Sequence, residues 1–171
     1  MNPLEWLNRN VPGFAELQLV ERDAIANFSL LWSLFEARCL NENASSDAIQ
    51  RLVTQWAADG RLDDAVFGEP LAYFRDRYFD NGEPTHHFDF LYLRRPDKPD
   101  LVKAVLRGED NDPVNCATVV LIVVYRLRNN LFHGMKWAYG IRDQRSNFEQ
   151  ASNANSHSYK SGCEGWSVCD R

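Results

Sequence analysis

The stretch "DPVNCATVVLIVVYRLRNNLFHG", residues 112–134, decides the fold, because it carries signals for both helix and strand. Its β-branched run at 118–124 suits a pleated surface. Three features oppose that reading: a length well beyond that of an ordinary strand, Asp112-Pro113 as N-cap and first turn, and Gly134 after the last periodic position. The stretch therefore predicts a long helix ending in a polar cluster. At about 100° per residue, Val120, Val124, Leu127 and Leu131 form one stripe, which continues as core. Val119, Ile122, Arg126, Asn129, Asn130 and His133 form a second, changing from apolar to polar, as at an edge where a buried contact opens into a wet cleft.

Helical spacing also dominates the rest of the chain. Leu17, Val20, Ala24, Phe28, Leu31 and Phe35 recur every three to four positions and predict a long amphipathic helix from Phe14 to Leu40. "NASSDAIQRLVTQWAADG" follows, with serines and an aspartate to start a helix and Gly60 to end it. Residues 67–95 predict two short helices around the turn chemistry of "DNGEPT". The prolines of "PDKPDLVKAVL" precede another short helix, and a last helix is expected over about 141–151. The fold class is thus all-α, a helical bundle over residues 1–151. Residues 152–171, rich in Ser, Asn and Gly without apolar periodicity, are expected to form a polar tail outside the core.

The composition suits one soluble domain: 171 residues, 44% hydrophobic and 12% aromatic. A net charge of −5 argues against coating nucleic acid or membrane by bulk electrostatics, yet permits a local basic patch. Such a patch exists within 121–146, where Arg126, Arg128, Lys136, Arg142 and Arg145 face only Asp143. No signal-peptide pattern opens the chain, and "VVLIVVY" is far short of the roughly 20 residues that cross a bilayer, so a cytoplasmic protein without membrane partners is expected. The four cysteines make no C-x-x-C pair, and neither a zinc site nor a disulfide framework is expected from their spacing. Trp32, Trp56, Phe74, Tyr78 and Phe88 are read as core, and His86-His87 as local packing.

Within the polar cluster, Asn129 and His133 stand four apart, so the amide can reach toward the imidazole. Arg128 and His133 are about 140° apart and need a third element, or a second copy of the helix, to share one spot. Cations in a last turn also cap carbonyls and meet the helix dipole, and asparagines also end helices. The residues alone leave structural and chemical roles open.

An arginine followed by a polar residue and then, four to six residues on, a histidine near the end of a long helix resembles the signature of HEPN domains. Here it is Arg128-Asn129-Asn130-Leu131-Phe132-His133, and "YRLRNNLFHG" looks like the HEPN families of bacterial toxin and defence systems. "FSLLWSLFEAR" at 28–38 also looks like the first long helix of that group, and the similarity extends over roughly residues 14–150.

The resemblance implies a metal-independent endoribonuclease, a toxin or defence effector without cofactor. It would act on RNA, including tRNA, at a cleft shared by two copies of the chain. In that reading His133 supplies acid or base, Arg128 stabilises the phosphorane charge, and Asn129 orients His133 or holds a phosphate oxygen. Arg126, Asn130 and Lys136 would contact substrate. No carboxylate cluster lies nearby, which fits chemistry without a divalent metal. Some HEPN toxins carry a tyrosine two residues after the histidine, where a nucleotidyltransferase antitoxin modifies them; this chain has Met135, which argues against that route, and Tyr139 lies too far along to stand in. An antitoxin or other defence protein remains an expected partner. The alternative is a catalytically silent HEPN-like module binding RNA, a nucleotide or a protein, and a third reading is an all-helical antitoxin or scaffold that uses Val119 and Ile122 as a sticky surface.

Overall fold

A computed structural model describes residues 2–133 and 144–163, with side chains to residue 159. Helices dominate it. In chain order they are α1 (Pro3–Asn10), α2 (Leu19–Cys39), α3 (Ser46–Ala58), α4 (Gly68–Tyr78), α5 (His86–Asp89), α6 (Pro99–Leu106), α7 (Pro113–Phe132) and α8 (Arg145–Cys163). A two-residue hairpin, β1 (Phe79–Asp80) and β2 (Glu83–Pro84), pairs Phe79 with Pro84 and Asp80 with Glu83. Its Asn81 and Gly82 both have positive φ, 49° and 81°. That is the geometry an Asn-Gly hairpin turn adopts.

The decisive stretch is a helix. Asp112 caps α7 by accepting from the Asn115 N–H at 3.0 Å, and Pro113 sits in the first turn, where its missing N–H costs nothing. Every residue from Ala117 to Val124 is fully buried, because α3, α4, α6 and α8 all pack against α7. A helix apolar all round belongs at the centre of a fold. Val119 and Ile122 are therefore core, at 0% exposure, which corrects the reading of them as an edge or sticky surface.

The amphipathic helix starts later than its periodicity suggests. Phe14–Glu16 is a separate 3-10 turn, and α2 begins after Gln18, whose N–H donates to the Glu21 carboxylate at 2.8 Å. Ala24, Phe28 and Phe35 are buried as expected, with Trp32 beside them, while Val20 is exposed. In α3, Ser45 Oγ accepts from the Ala48 N–H at 3.1 Å, and Ile49, Val53 and Trp56 face the core. Gly60 takes the left-handed φ of 66° that ends the element.

The largest departure is at the C-terminal end. The last helix runs from Arg145 to Cys163 rather than ending near Ala151, so residues 152–163 are not a tail beside the bundle. Phe148, Ala151, Asn155 and Ser158 repeat at three and four residues and are all buried, together with Ala154. The seam is helical in period but small and polar in composition, which hides it from a hydrophobicity pattern. Small residues let α8 lie closely along α2, its most extensive partner, and Phe28 meets Phe148 with ring centroids 5.1 Å apart. Cys39, at the end of α2, is disulfide-bonded. Among the described residues, no helix is long and apolar enough to cross a membrane.

Candidate active site

The last two turns of α7 carry the polar cluster, and their side chains divide by direction. Arg126 and Asn130, four apart, turn toward the loop that follows α5. Arg126 donates through Nε to the Leu91 carbonyl at 3.0 Å and through Nη2 to that of Tyr92 at 2.8 Å. Its Nη1 lies 3.5 Å from the Asp97 carboxylate. Asn130 Nδ2 donates to the Phe90 carbonyl at 2.9 Å. Burial pulls the Arg126 guanidinium below its ordinary range, and the Asp97 charge opposes that pull.

Both side chains are buried and their donors are committed within the chain. The expected substrate contacts by Arg126 and Asn130 are thereby corrected: these residues hold a loop. Asp97, itself buried, also accepts from Ser46 Oγ at 2.8 Å and from the Arg94 N–H at 2.9 Å, closing a network between α3, the loop and α7.

Arg128 points the other way, toward α2. Its Nη2 lies 3.2 Å from Glu36 Oε2, which also accepts from Trp32 Nε1 at 2.7 Å. Its Nη1 donates to Asn129 Oδ1 at 3.0 Å. The guanidinium carbon stands 5.9 Å from the Trp32 ring and 5.3 Å from the Phe132 ring. Both rings are within cation–π range. A guanidinium has five N–H donors; these contacts use two, and the Nε–H is buried and unpartnered among the described residues, which leaves one N–H on each terminal nitrogen. With its side chain 27% exposed, Arg128 is held in one orientation while keeping donors for an anion.

Asn129 serves both neighbours without touching the imidazole. Its side-chain oxygen fixes Arg128, and its backbone carbonyl accepts the His133 N–H at 2.9 Å. The amide thus orients the arginine and not the histidine. His133 occupies the C-cap of α7, is exposed, and makes no side-chain hydrogen bond among the described residues. Three residues after Asn130, it falls on the loop side of the helix. Arg128 and His133 are accordingly close along the chain and separated around α7. Lys136, together with Met135, Tyr139 and Arg142, lies outside the described residues.

Sequence reasoning missed Glu36. It stands third from the end of "FSLLWSLFEAR", four residues after Trp32, and a Trp N–H donor facing a carboxylate one helical turn on is a pairing that i,i+4 spacing permits. Its partnership with Arg128 spans 92 residues and has no local signal. The expected core aromatics Trp32, Trp56, Phe74, Tyr78 and Phe88 are all buried. Phe90, Tyr92 and Phe132 are instead exposed at 42%, 38% and 56%. No protein-family model, curated protein or solved structure matches the chain.

Proposed function

We propose that the C-terminal end of α7 is one half of the active site of a HEPN-type, metal-independent endoribonuclease that works as a homodimer, with a toxin or defence role. One observation carries the reading: Arg128 is fixed at the surface by Glu36, Asn129 and two aromatic rings, with donors left over, at the same helix end as an exposed His133 that has no side-chain hydrogen bond among the described residues.

In the reaction this supports, a ribose 2′-oxygen attacks the adjacent phosphorus as an imidazole takes its proton. The bond from phosphorus to O5′ breaks, O5′ gains a proton, and the products are a 2′,3′-cyclic phosphate and a 5′-hydroxyl. The spare Arg128 N–H groups stabilise the charge on the equatorial oxygens. Because Arg128 and His133 lie on different sides of α7, a second copy would bring the histidine of one chain to the arginine of the other. Exposed Phe132 offers apolar area at that helix end.

The test is cleavage of total RNA and tRNA with EDTA present. Arg128→Ala and His133→Ala should each lower the rate by about 10²-fold or more. Mixing the two variants should restore part of it, since a mixed dimer contains one complete Arg128–His133 pair. No cleavage by the folded parent, or equal cleavage by all variants, would defeat the proposal. A second reading, a silent HEPN-like module, is favoured by the Glu36 carboxylate, which offsets the Arg128 charge that an RNase would use.

A further inference from the structure

The segment that begins with α5 reads "HHFDFLYLRR", residues 86–95, and it alternates between core and surface. Phe88 and Leu91 are buried, whereas His86, Phe90, Tyr92, Arg94 and Arg95 are exposed. The exposed rings form a row: the His86 and Phe90 centroids are 6.3 Å apart at 88°, and those of Phe90 and Tyr92 are 6.4 Å apart. Exposed rings of this size usually find a partner, and two arginines follow within three residues.

The row is also held in place. The carbonyls of residues 90, 91 and 92 all accept from Arg126 or Asn130, within one turn of Arg128 and Asn129. Tyr92 sits at φ 50°. This is a left-handed conformation that a bulky non-glycine residue rarely takes. A strained backbone that presents a side chain to solvent is more often kept for a site than for packing.

We infer that His86, Phe90 and Tyr92 form a stacking platform for unpaired nucleotides of RNA, with Arg95 meeting the phosphates, on the side of α7 that carries His133. This rests on the ribonuclease reading for its placement beside a reaction centre. Aromatic faces take any base, and duplex bases are not available to them. Arg94 Nε is paired with Asp97 at 3.4 Å, and it is the exposed Arg95 that favours a polyanion over an apolar protein segment.

Binding of a fluorescein-labelled, unstructured 2′-O-methyl RNA 12-mer to the full chain, read by anisotropy, tests this apart from catalysis, because that oligonucleotide lacks the attacking hydroxyl. Phe90→Ala and Tyr92→Gly should each weaken binding about 5- to 100-fold, and a duplex of the same sequence should bind more weakly than the single strand. Tyr92→Gly relieves the positive φ, so it should keep or raise the melting temperature while losing affinity, which separates stacking from folding. Unchanged affinity in the folded variants, equal binding of duplex, or no RNA binding by the parent would overturn the platform, the last leaving a protein-docking face. Variant-sensitive binding without any cleavage would keep the platform and remove the ribonuclease. Cleavage that depends on Arg128 and His133, with binding indifferent to Phe90 and Tyr92, would do the reverse.

Discussion

Replacing Arg126 with methionine separates a loop-holding arginine from a substrate-binding one. Methionine keeps the apolar stem but removes the donors to the Leu91 and Tyr92 carbonyls and the charge 3.5 Å from Asp97. Asp97 is 1% exposed, so its carboxylate would remain buried with Ser46, the Arg94 N–H and the largely exposed Arg94 guanidinium, whose Nε is 3.4 Å away, to answer it. Breaking a buried pair by deleting one partner costs about 3–5 kcal/mol, and orphaned carbonyls about 1–3 kcal/mol each when they stay dry. These terms overlap, and a net loss of about 3–5 kcal/mol is expected. At about 2–4 °C per kcal/mol for a chain of this size, the melting temperature should fall by roughly 6–20 °C. Circular dichroism at the helical minimum follows the transition, with urea midpoints as a second measure. Asp97→Asn on the Arg126→Met background should recover at least about 1 kcal/mol relative to additivity, because the carboxylate that has lost its buried partner is no longer charged. A shift under about 2 °C, or strict additivity, would refute the buried network and return Arg126 to the surface chemistry first expected of it.

Three further outcomes follow from the same contacts. Glu36→Gln keeps an acceptor for Trp32 but removes the charge facing Arg128; RNA cleavage should fall about 10-fold or more through kcat, with little change in stability, and an increase would mean that Glu36 restrains Arg128 instead of positioning it. Ala154→Glu places a charge in the α2–α8 seam and should lower the melting temperature by about 6 °C or more; an unchanged value would put residues 152–163 back outside the core. Burial pushes the Tyr78 phenol well above its ordinary range and moves Tyr73 the same way. A raised folded-state value means the stabilisation is complete below the unfolded value near about 10 and is lost as pH rises toward the folded one. Urea midpoints should therefore drop above about pH 10 and drop less in Tyr78→Phe, and parallel curves for the two proteins would contradict the burial.

The elements legible in the sequence were those whose signals are local. Ser45 and Gly60 bound α3, Asp112-Pro113 start α7, and each acts on backbone groups within a few residues of itself. The errors lie where distant elements decide. Two stripes on α7 presuppose one wet side, but four other helices close around 117–124 and leave none. The α2–α8 seam has the right period in the wrong residue types, Ala, Asn and Ser, because close approach there takes small side chains over greasy ones. At the candidate site, the Arg128-Asn129-His133 pattern was readable, whereas the identity of each partner was not: Arg126 finds carbonyls 34 and 35 residues away, and Arg128 finds a carboxylate on α2.

The same partners explain why a buried helix ends in so many polar groups. Turning the chain from α5 into α6 exposes Phe90 and Tyr92 and places Tyr92 at positive φ. Such a conformation costs about 1–3 kcal/mol. Hydrogen bonds from Arg126 and Asn130 to three successive carbonyls, with Asp97 balancing the charge, offset that cost and satisfy backbone groups that the turn leaves unpaired. Half of the cluster is thus needed for the fold alone. The other half is not: Arg128 at the surface and His133 at the cap could be shorter and uncharged without leaving any described backbone carbonyl unpaired. Arg128, a polar side chain that the fold does not require yet that is held in one orientation by Glu36, Asn129 and two rings, is the part of the cluster on which a chemical role can rest, with the exposed His133 at the same helix end.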